Sequence, residues 1–160
     1  MDNEQLLRSL RSAFPSHDTT GFEAFDFIHA FGSGREALLY ARLFWPEFIE
    51  FRGMVLLKAT IETDDDRRRA EGAFEKYNSD VVETEQSLNL VEIPHLFGRR
   101  IGEADDEEDR LLAEIVAEVW RCRLKTLFPD RHFVVGILEA EDTGGEIAVM
   151  FSQERGVQKP

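Results

Sequence analysis

The chain has 160 residues, a formal net charge of −13, thirteen phenylalanines and one cysteine. A chain of this length corresponds to about one domain, which would bury roughly 70% of the surface that its unfolded chain exposes. The phenylalanines supply bulk for a core, which argues against global disorder. A single cysteine excludes an internal disulfide, and the lack of a CxxC motif excludes thiolate zinc sites and dithiol redox sites.

The excess of acidic residues argues against direct binding to nucleic acid or to an anionic membrane surface. The chain carries 32 Asp and Glu against 19 Lys and Arg, whereas a nucleic-acid-binding domain normally presents a basic face. Most of the excess lies in residues 61–110, where 16 acids and 7 bases give a net charge of −9. Residues 1–5 lack the basic and apolar regions of a signal peptide. The apolar runs are also far shorter than the roughly 20 residues that span a bilayer, so we expect a cytoplasmic protein.

The N-terminal part of the chain is predicted to form three helices. Leucines at helical spacing indicate a first helix over residues 3–14. A second helix over residues 22–31, capped from within residues 18–20, is apolar around most of its circumference, so we expect it to be buried on several sides. The glycine-containing turn at residues 32–34 separates it from a third helix over residues 35–44.

Strands and a capped helix are predicted next. Residues 47–61 are typical either of a hairpin or of one strand with a bulge at Gly53. Thr63, followed by three aspartates, has the pattern of a helix start because its hydroxyl can cap and the acids suit the first turn. That helix should run to Tyr77.

The C-terminal half is predicted to alternate between helix and strand. Residues 81–96 favour a short helix followed by a strand near residues 90–93. Residues 109–128 have the apolar stripe of a long helix, and residues 132–140 and 146–153 are predicted to form a hairpin.

The fold class predicted from these elements is α+β. A mostly antiparallel sheet of about four strands should pack against four or five helices, because the repeated βα spacing of a parallel sheet is missing. We expect a single globular domain over residues 1–160. Its parts are a helical region (1–46), a strand pair (47–61), a helix and acidic loop (62–108), and a long helix with a C-terminal hairpin (109–153).

An acidic loop over residues 98–109 is the candidate binding site for a partner. Two interpretations are open: solvated carboxylates that favour the start of the following helix, or a surface that docks a basic protein, since clustered charge raises association rates. The candidate partner-binding residues are Glu103, Asp105, Asp106, Glu107 and Glu108.

Candidate catalytic chemistry is sparse. Glu83, Glu85, Glu92 and His95 lie close in sequence, and carboxylates can serve acid–base catalysis if burial raises the pKa of one of them. However, Glu83 and Glu85 point apart if their segment is helical. The four histidines show neither HxH nor HExxH spacing, and the ExxH motif that ends at His95 occurs once with a proline inside it. No metal site and no cofactor are therefore predicted.

The single cysteine is predicted to be structural. Cys122 lies between Arg121 and Arg123, and nearby cations can lower the pKa of a thiol. Its spacing from Ile115 and Val119 nevertheless places it beside the apolar stripe of the long helix, which favours a buried, unreactive thiol.

Three functions are compatible with these observations. The first is a non-catalytic acidic module that binds a basic protein, such as an inhibitor or immunity-type protein. The alternatives are a small-ligand-binding domain with an aromatic pocket formed from residues 22–45 and a small carboxylate-dependent enzyme. A sizeable apolar cavity would favour the ligand-binding alternative.

Overall fold

The computed structural model describes residues 3–96, 106–139 and 146–154. Within these residues the helices are α1 (Asn3–Ala13), α2 (Ala24–Phe31), α3 (Gly34–Phe44), α4 (Asp64–Lys76), α5 (Val81–Leu88), α6 (Ile93–Leu96) and α7 (Asp106–Leu127). The strands are β1 (Phe48–Phe51), β2 (Met54–Leu57), β3 (Val91–Glu92), β4 (Phe133–Leu138) and β5 (Ala148–Gln153), and a 3₁₀ turn (Lys58–Thr60) follows β2.

The predicted α+β class is confirmed, with antiparallel pairing in both described sheets. The strand arrangement differs from the single sheet of about four strands that was expected. The described strands form two small sheets, β1–β2 and β3–β5–β4. They stay separate because side chains of α5, and not a further strand, meet the outer edge of β2.

Short-range signals account for the hairpin and for the start of α4. Arg52 and Gly53 have φ values of 51° and 82°, the left-handed values that a two-residue hairpin turn requires. The alternative of one bulged strand is therefore excluded. Thr63 Oγ1 accepts a hydrogen bond from the backbone N–H of Asp66 at 3.1 Å, and the Thr63 N–H donates to Asp66 Oδ2 at 3.0 Å. The predicted cap by the Thr63 hydroxyl is confirmed, and the return bond to Asp66 makes the pair a capping box.

Helix α2 is much more exposed than its apolar sequence predicted. Its cap is Glu23, whose N–H donates to Asp26 Oδ2 at 2.8 Å, and not a residue within 18–20. One face carries the buried Phe27 into an aromatic cluster formed by α2 and the chain between α1 and α2. On the other face, Phe25 is 83% exposed and Ile28 is 62% exposed. The expectation of burial on several sides is wrong, because no described element covers that second face.

The core has two parts that meet at β2, which is buried along its whole length. Val55 and Leu57 belong to the larger cluster, which α7 and β5 complete. Within it the Trp120 and Phe151 rings meet edge-on, with their centroids 5.8 Å apart. Met54 and Leu56 belong to the smaller cluster, which also contains Ile61 and Ala70. Strand β2 therefore serves as a wall between two apolar clusters, buried on both faces.

Candidate functional site

A cavity of about 660 Å³ lies between the C-terminal half of α3 and the chain that follows β2. Leu39 of α3 and Trp45, directly after α3, line it together with Leu57 of β2. Leu96 of α6 and Trp120 of α7 also line it. Most of these side chains are apolar, so the cavity is suited to a ligand with a substantial apolar body.

Two contacts hold the walls of the cavity in place. Trp120, which is fully buried, donates from Nε1 to the backbone oxygen of Leu43 at 2.8 Å, and this ties the end of α3 to α7. The backbone N–H of Lys58 donates to the backbone oxygen of Glu47 at 2.8 Å, which holds the chain after β2 against the chain after α3. The cavity is therefore bounded by anchored backbone.

The cavity opens onto an apolar surface that solvent reaches. No residue of α3 is buried. Leu38 is 75% exposed, Leu39 is 67% exposed and Trp45 is 60% exposed. Contiguous apolar surface that solvent reaches commonly marks a binding site. The sequence contained a signal for this surface. Apolar residues lie on more than one face of α3, whereas a surface helix normally has a single apolar stripe.

Three cations surround one carboxylate at the Trp45 end of the cavity. Lys58 Nζ lies 2.5 Å from Glu47 Oε2, and the guanidinium of Arg123 lies over the Trp45 ring at 4.4 Å from its centroid. The hydrogen bond from Lys58 lowers the pKa of Glu47, and the charges of Lys58, Arg42 and Arg123 lower this pKa further. This end of the cavity is thus locally positive in a chain whose net charge is −13.

The predicted acidic site is only partly within the described residues. Glu103 and Asp105 lie outside them, and Asp106 begins α7, so the predicted loop gives way to helix three residues before Asp109. Glu107 accepts a hydrogen bond from Gln5 Nε2, and Glu108 accepts one from Ser9 Oγ. These two carboxylates therefore tie α1 to α7, and the use of the acidic residues in docking stays a prediction.

Glu85, one of the candidate catalytic carboxylates, is fully buried and fully occupied by backbone and amide donors. It accepts hydrogen bonds from the backbone N–H groups of Val55 and Gln153, both at 2.6 Å, and from Gln153 Nε2 at 2.7 Å. Burial raises the pKa of Glu85, and these donors oppose the shift in part. Because α5 is helical, Glu83 points elsewhere and is exposed, so the two carboxylates do not form a pair.

Asn89 completes this contact one helical turn later. Its Oδ1 accepts from the N–H of Leu57 at 3.1 Å, and its Nδ2 donates to the backbone oxygens of Val55 at 2.9 Å and Phe151 at 3.4 Å. Glu85 and Asn89 thus satisfy backbone groups on the facing edges of β2 and β5. We call this contact the α5 seam, and its chemistry is that of strand pairing, supplied by side chains.

The remaining candidate residues serve no common centre in the described part of the chain. His95 Nδ1 lies 2.5 Å from Glu92 Oε2 in an exposed pair. No group of three or more His, Cys, Asp or Glu among the described residues could hold a metal ion. Cys122 is exposed, so the prediction of a buried thiol is wrong. The reason is its angular position: two residues beyond the buried Trp120, it lies about 200° around the helix.

Among the described residues, the helices are all too short or too polar to cross a membrane. Comparison with protein-family models, with curated proteins and with solved structures gives no match. The function must therefore be argued from the geometry and charge of the cavity itself.

Proposed function

We propose that this chain is a non-catalytic domain that binds a small, mainly apolar molecule in the cavity beside α3. The observation that carries the proposal is the cavity of about 660 Å³ with apolar walls. Sites for small ligands commonly measure about 300–1,000 Å³, and apolar and aromatic side chains usually line them.

The exposure of the cavity walls supplies a driving force for binding. Leu39 and Trp45 line the cavity and are each more than half exposed. Removing apolar surface from water contributes roughly 25 cal/mol per Å², or about 1.5–3 kcal/mol for one large side chain. A ligand seated against these two side chains would gain this stabilisation, which the chain on its own does not.

The neutral fluorescent probe N-phenyl-1-naphthylamine tests this proposal. We expect its emission to rise and saturate on addition of the folded protein, and Leu39→Ser to weaken its binding about tenfold, since one buried leucine contact is lost. Leu38→Ser is the matched control, because Leu38 is a neighbour on α3 with similar exposure that does not line the cavity. Equal weakening by both variants, or no saturable binding at all, would contradict the proposal.

A second candidate function is the acidic module that binds a basic protein. The net charge of −9 over residues 61–110 favours it. Reversing Asp105 and Asp106 to lysine should slow association with such a partner, and leaves the bonds of Glu107 and Glu108 to α1 in place. Unchanged association would rule out this part of the acidic segment as the docking site.

The proposed cellular setting is cytoplasmic, without direct binding to nucleic acid. The net charge of −13 supports the second point, because phosphate backbones would be repelled. Cell fractionation and a filter-binding assay with duplex DNA at low salt would test the two statements separately. Enrichment with membranes, or salt-sensitive retention of DNA, would contradict them.

A further inference from the structure

We infer that the ligand of this cavity is an amphipathic organic anion, an apolar body with a carboxylate-like group held beside Arg42 at the Trp45 end. This inference rests on the proposed function and names the class of ligand. It concerns the charges around the cavity, whereas the proposed function concerns its apolar walls.

The charge balance at this end of the cavity is the first argument. Arg42, Lys58 and Arg123 all act electrostatically on Glu47. Glu47 forms its ion pair with Lys58 at 2.5 Å. Lys58 already pairs with this carboxylate, so the guanidinium groups of Arg42 and Arg123 remain beside it without neutralisation by Glu47.

The hydrogen-bonding state of the two guanidinium groups is the second argument. Arg42 lines the cavity, and its side chain makes neither a hydrogen bond nor an ion pair with a described residue. Arg123 lies over the Trp45 ring, and its buried Nε has no hydrogen-bond partner among the described residues. A planar guanidinium can hold a carboxylate through two parallel hydrogen bonds, so an anionic group would supply what Arg42 lacks.

The positions of charged residues in the cavity lining indicate how the ligand is oriented. Glu62 also lines the cavity, and it follows the 3₁₀ turn, four residues after Lys58. An anion is therefore favoured near Arg42 and disfavoured near Glu62. Leu39, Arg42 and Trp45 all line the cavity and follow one another at three-residue spacing at the end of α3, so a single ligand can reach the guanidinium and the apolar surface together.

Three ligands with the same alkyl chain and different head groups provide the test. Decanoate, decanol and decylamine are each titrated against the protein with bound N-phenyl-1-naphthylamine, and displacement of that probe reports their affinities. We expect decanoate to bind about tenfold more tightly than decanol, and decylamine to bind least tightly. Added salt should weaken decanoate and leave decanol unchanged.

Variants of charged residues locate the anionic group. Arg42→Gln should weaken decanoate about tenfold without affecting decanol, whereas Arg67→Gln, at an exposed position on α4, should change neither. Glu47→Gln should strengthen decanoate several-fold because it removes a negative charge and frees Lys58. Glu62→Gln is its matched control and should have a smaller effect.

The outcomes separate this inference from the proposed function. Equal binding of decanoate and decanol, or equal effects of Arg42→Gln and Arg67→Gln, would overturn the anionic ligand and leave an apolar-ligand site intact. Stronger binding of decylamine would reverse the sign of the head group. Failure of all three ligands to displace the probe, or of the probe to bind, would instead contradict the proposed function.

Discussion

The α5 seam and the cavity beside α3 invert the usual distribution of side chains. At the seam, a carboxylate and an amide are completely buried, and each meets backbone groups of β2 and β5. At the cavity, Leu39 and Trp45 are mostly exposed to solvent. Buried polar groups normally have hydrogen-bond partners. An exposed apolar patch is likewise informative, because it commonly marks a surface that binds something.

The difference teaches which feature belongs to the fold and which to function. The polar atoms of Glu85 and Asn89 have protein partners, so their burial is explained by the joining of two sheets. Leu43 and Phe44 at the end of α3 pack against the core, but Leu38 and Leu39 have no comparable cover among the described elements. The sequence did not separate the two regions, since it offered Glu85 as a candidate catalytic carboxylate and residues 22–45 as a candidate aromatic pocket.

The largest effect is expected from breaking the seam. Glu85→Ala leaves the N–H groups of Val55 and Gln153 without their acceptor, and each buried orphan donor costs about 1–3 kcal/mol. Relief of the burial of the carboxylate offsets part of this loss, so we expect a decrease of about 2–5 kcal/mol in the free energy of unfolding. Urea unfolding measures it. Gln86→Ala, exposed on the same helix, should change it by less than about 0.5 kcal/mol.

A smaller effect is expected where the core meets the cavity. Trp120→Phe removes the donor to the Leu43 oxygen and part of a buried ring, which should lower the free energy of unfolding by about 1–3 kcal/mol. Probe binding should weaken as well, because the end of α3 is no longer tied to α7. Trp45→Phe, at an exposed ring, should leave stability nearly unchanged. Similar losses in the two variants would show that the Trp120 hydrogen bond does not anchor α3.

The pH dependence of stability sharpens the description of the seam. Burial raises the pKa of Glu85, so between its unfolded and folded pKa values the folded state binds more protons than the unfolded chain. Through that window this carboxyl lowers the free energy of unfolding as pH rises. Glu85→Gln does not titrate, so its stability relative to the parent protein should rise with pH over the same window.

Urea unfolding of both proteins from about pH 4 to about pH 8 measures this difference, since the window begins at the ordinary pKa of a glutamate. Asp18, Glu47 and Asp66 have lowered pKa values and contribute stability that is lost as pH falls. They are present in both proteins, so their contributions cancel in the comparison. A stability difference that does not vary with pH would show that Glu85 titrates alike in the folded and unfolded states.

The smallest effects on stability are expected at the cavity wall. Leu38→Ser and Leu39→Ser each remove a side chain that solvent already reaches, so each should change the free energy of unfolding by less than about 0.5 kcal/mol. The same urea measurement checks this. A loss of 2 kcal/mol or more, about what burial of a leucine is worth, would mean that α3 is part of the core, and the contrast between the two regions would disappear.

The sequence by itself determined the elements whose causes are local. The Thr63 cap, the apolar stripe of α7 and the short helix α5 all depend on neighbours a few residues away. Such signals act within one or two turns of chain, so they can be read without knowledge of the fold. The α+β class follows from them.

Only the tertiary structure decided what covers each face. The periodicity of α2 showed that its residues were apolar, but periodicity does not say whether another element packs against Phe25 or leaves it in solvent. Likewise Glu85 is one acid among 32 in the sequence. It becomes a seam residue because α5 meets the edges of β2 and β5. Its partners there, Val55 and Gln153, lie 30 and 68 residues from Glu85 along the chain. The cavity has the same origin, since its walls come from α3, the chain after β2, α6 and α7.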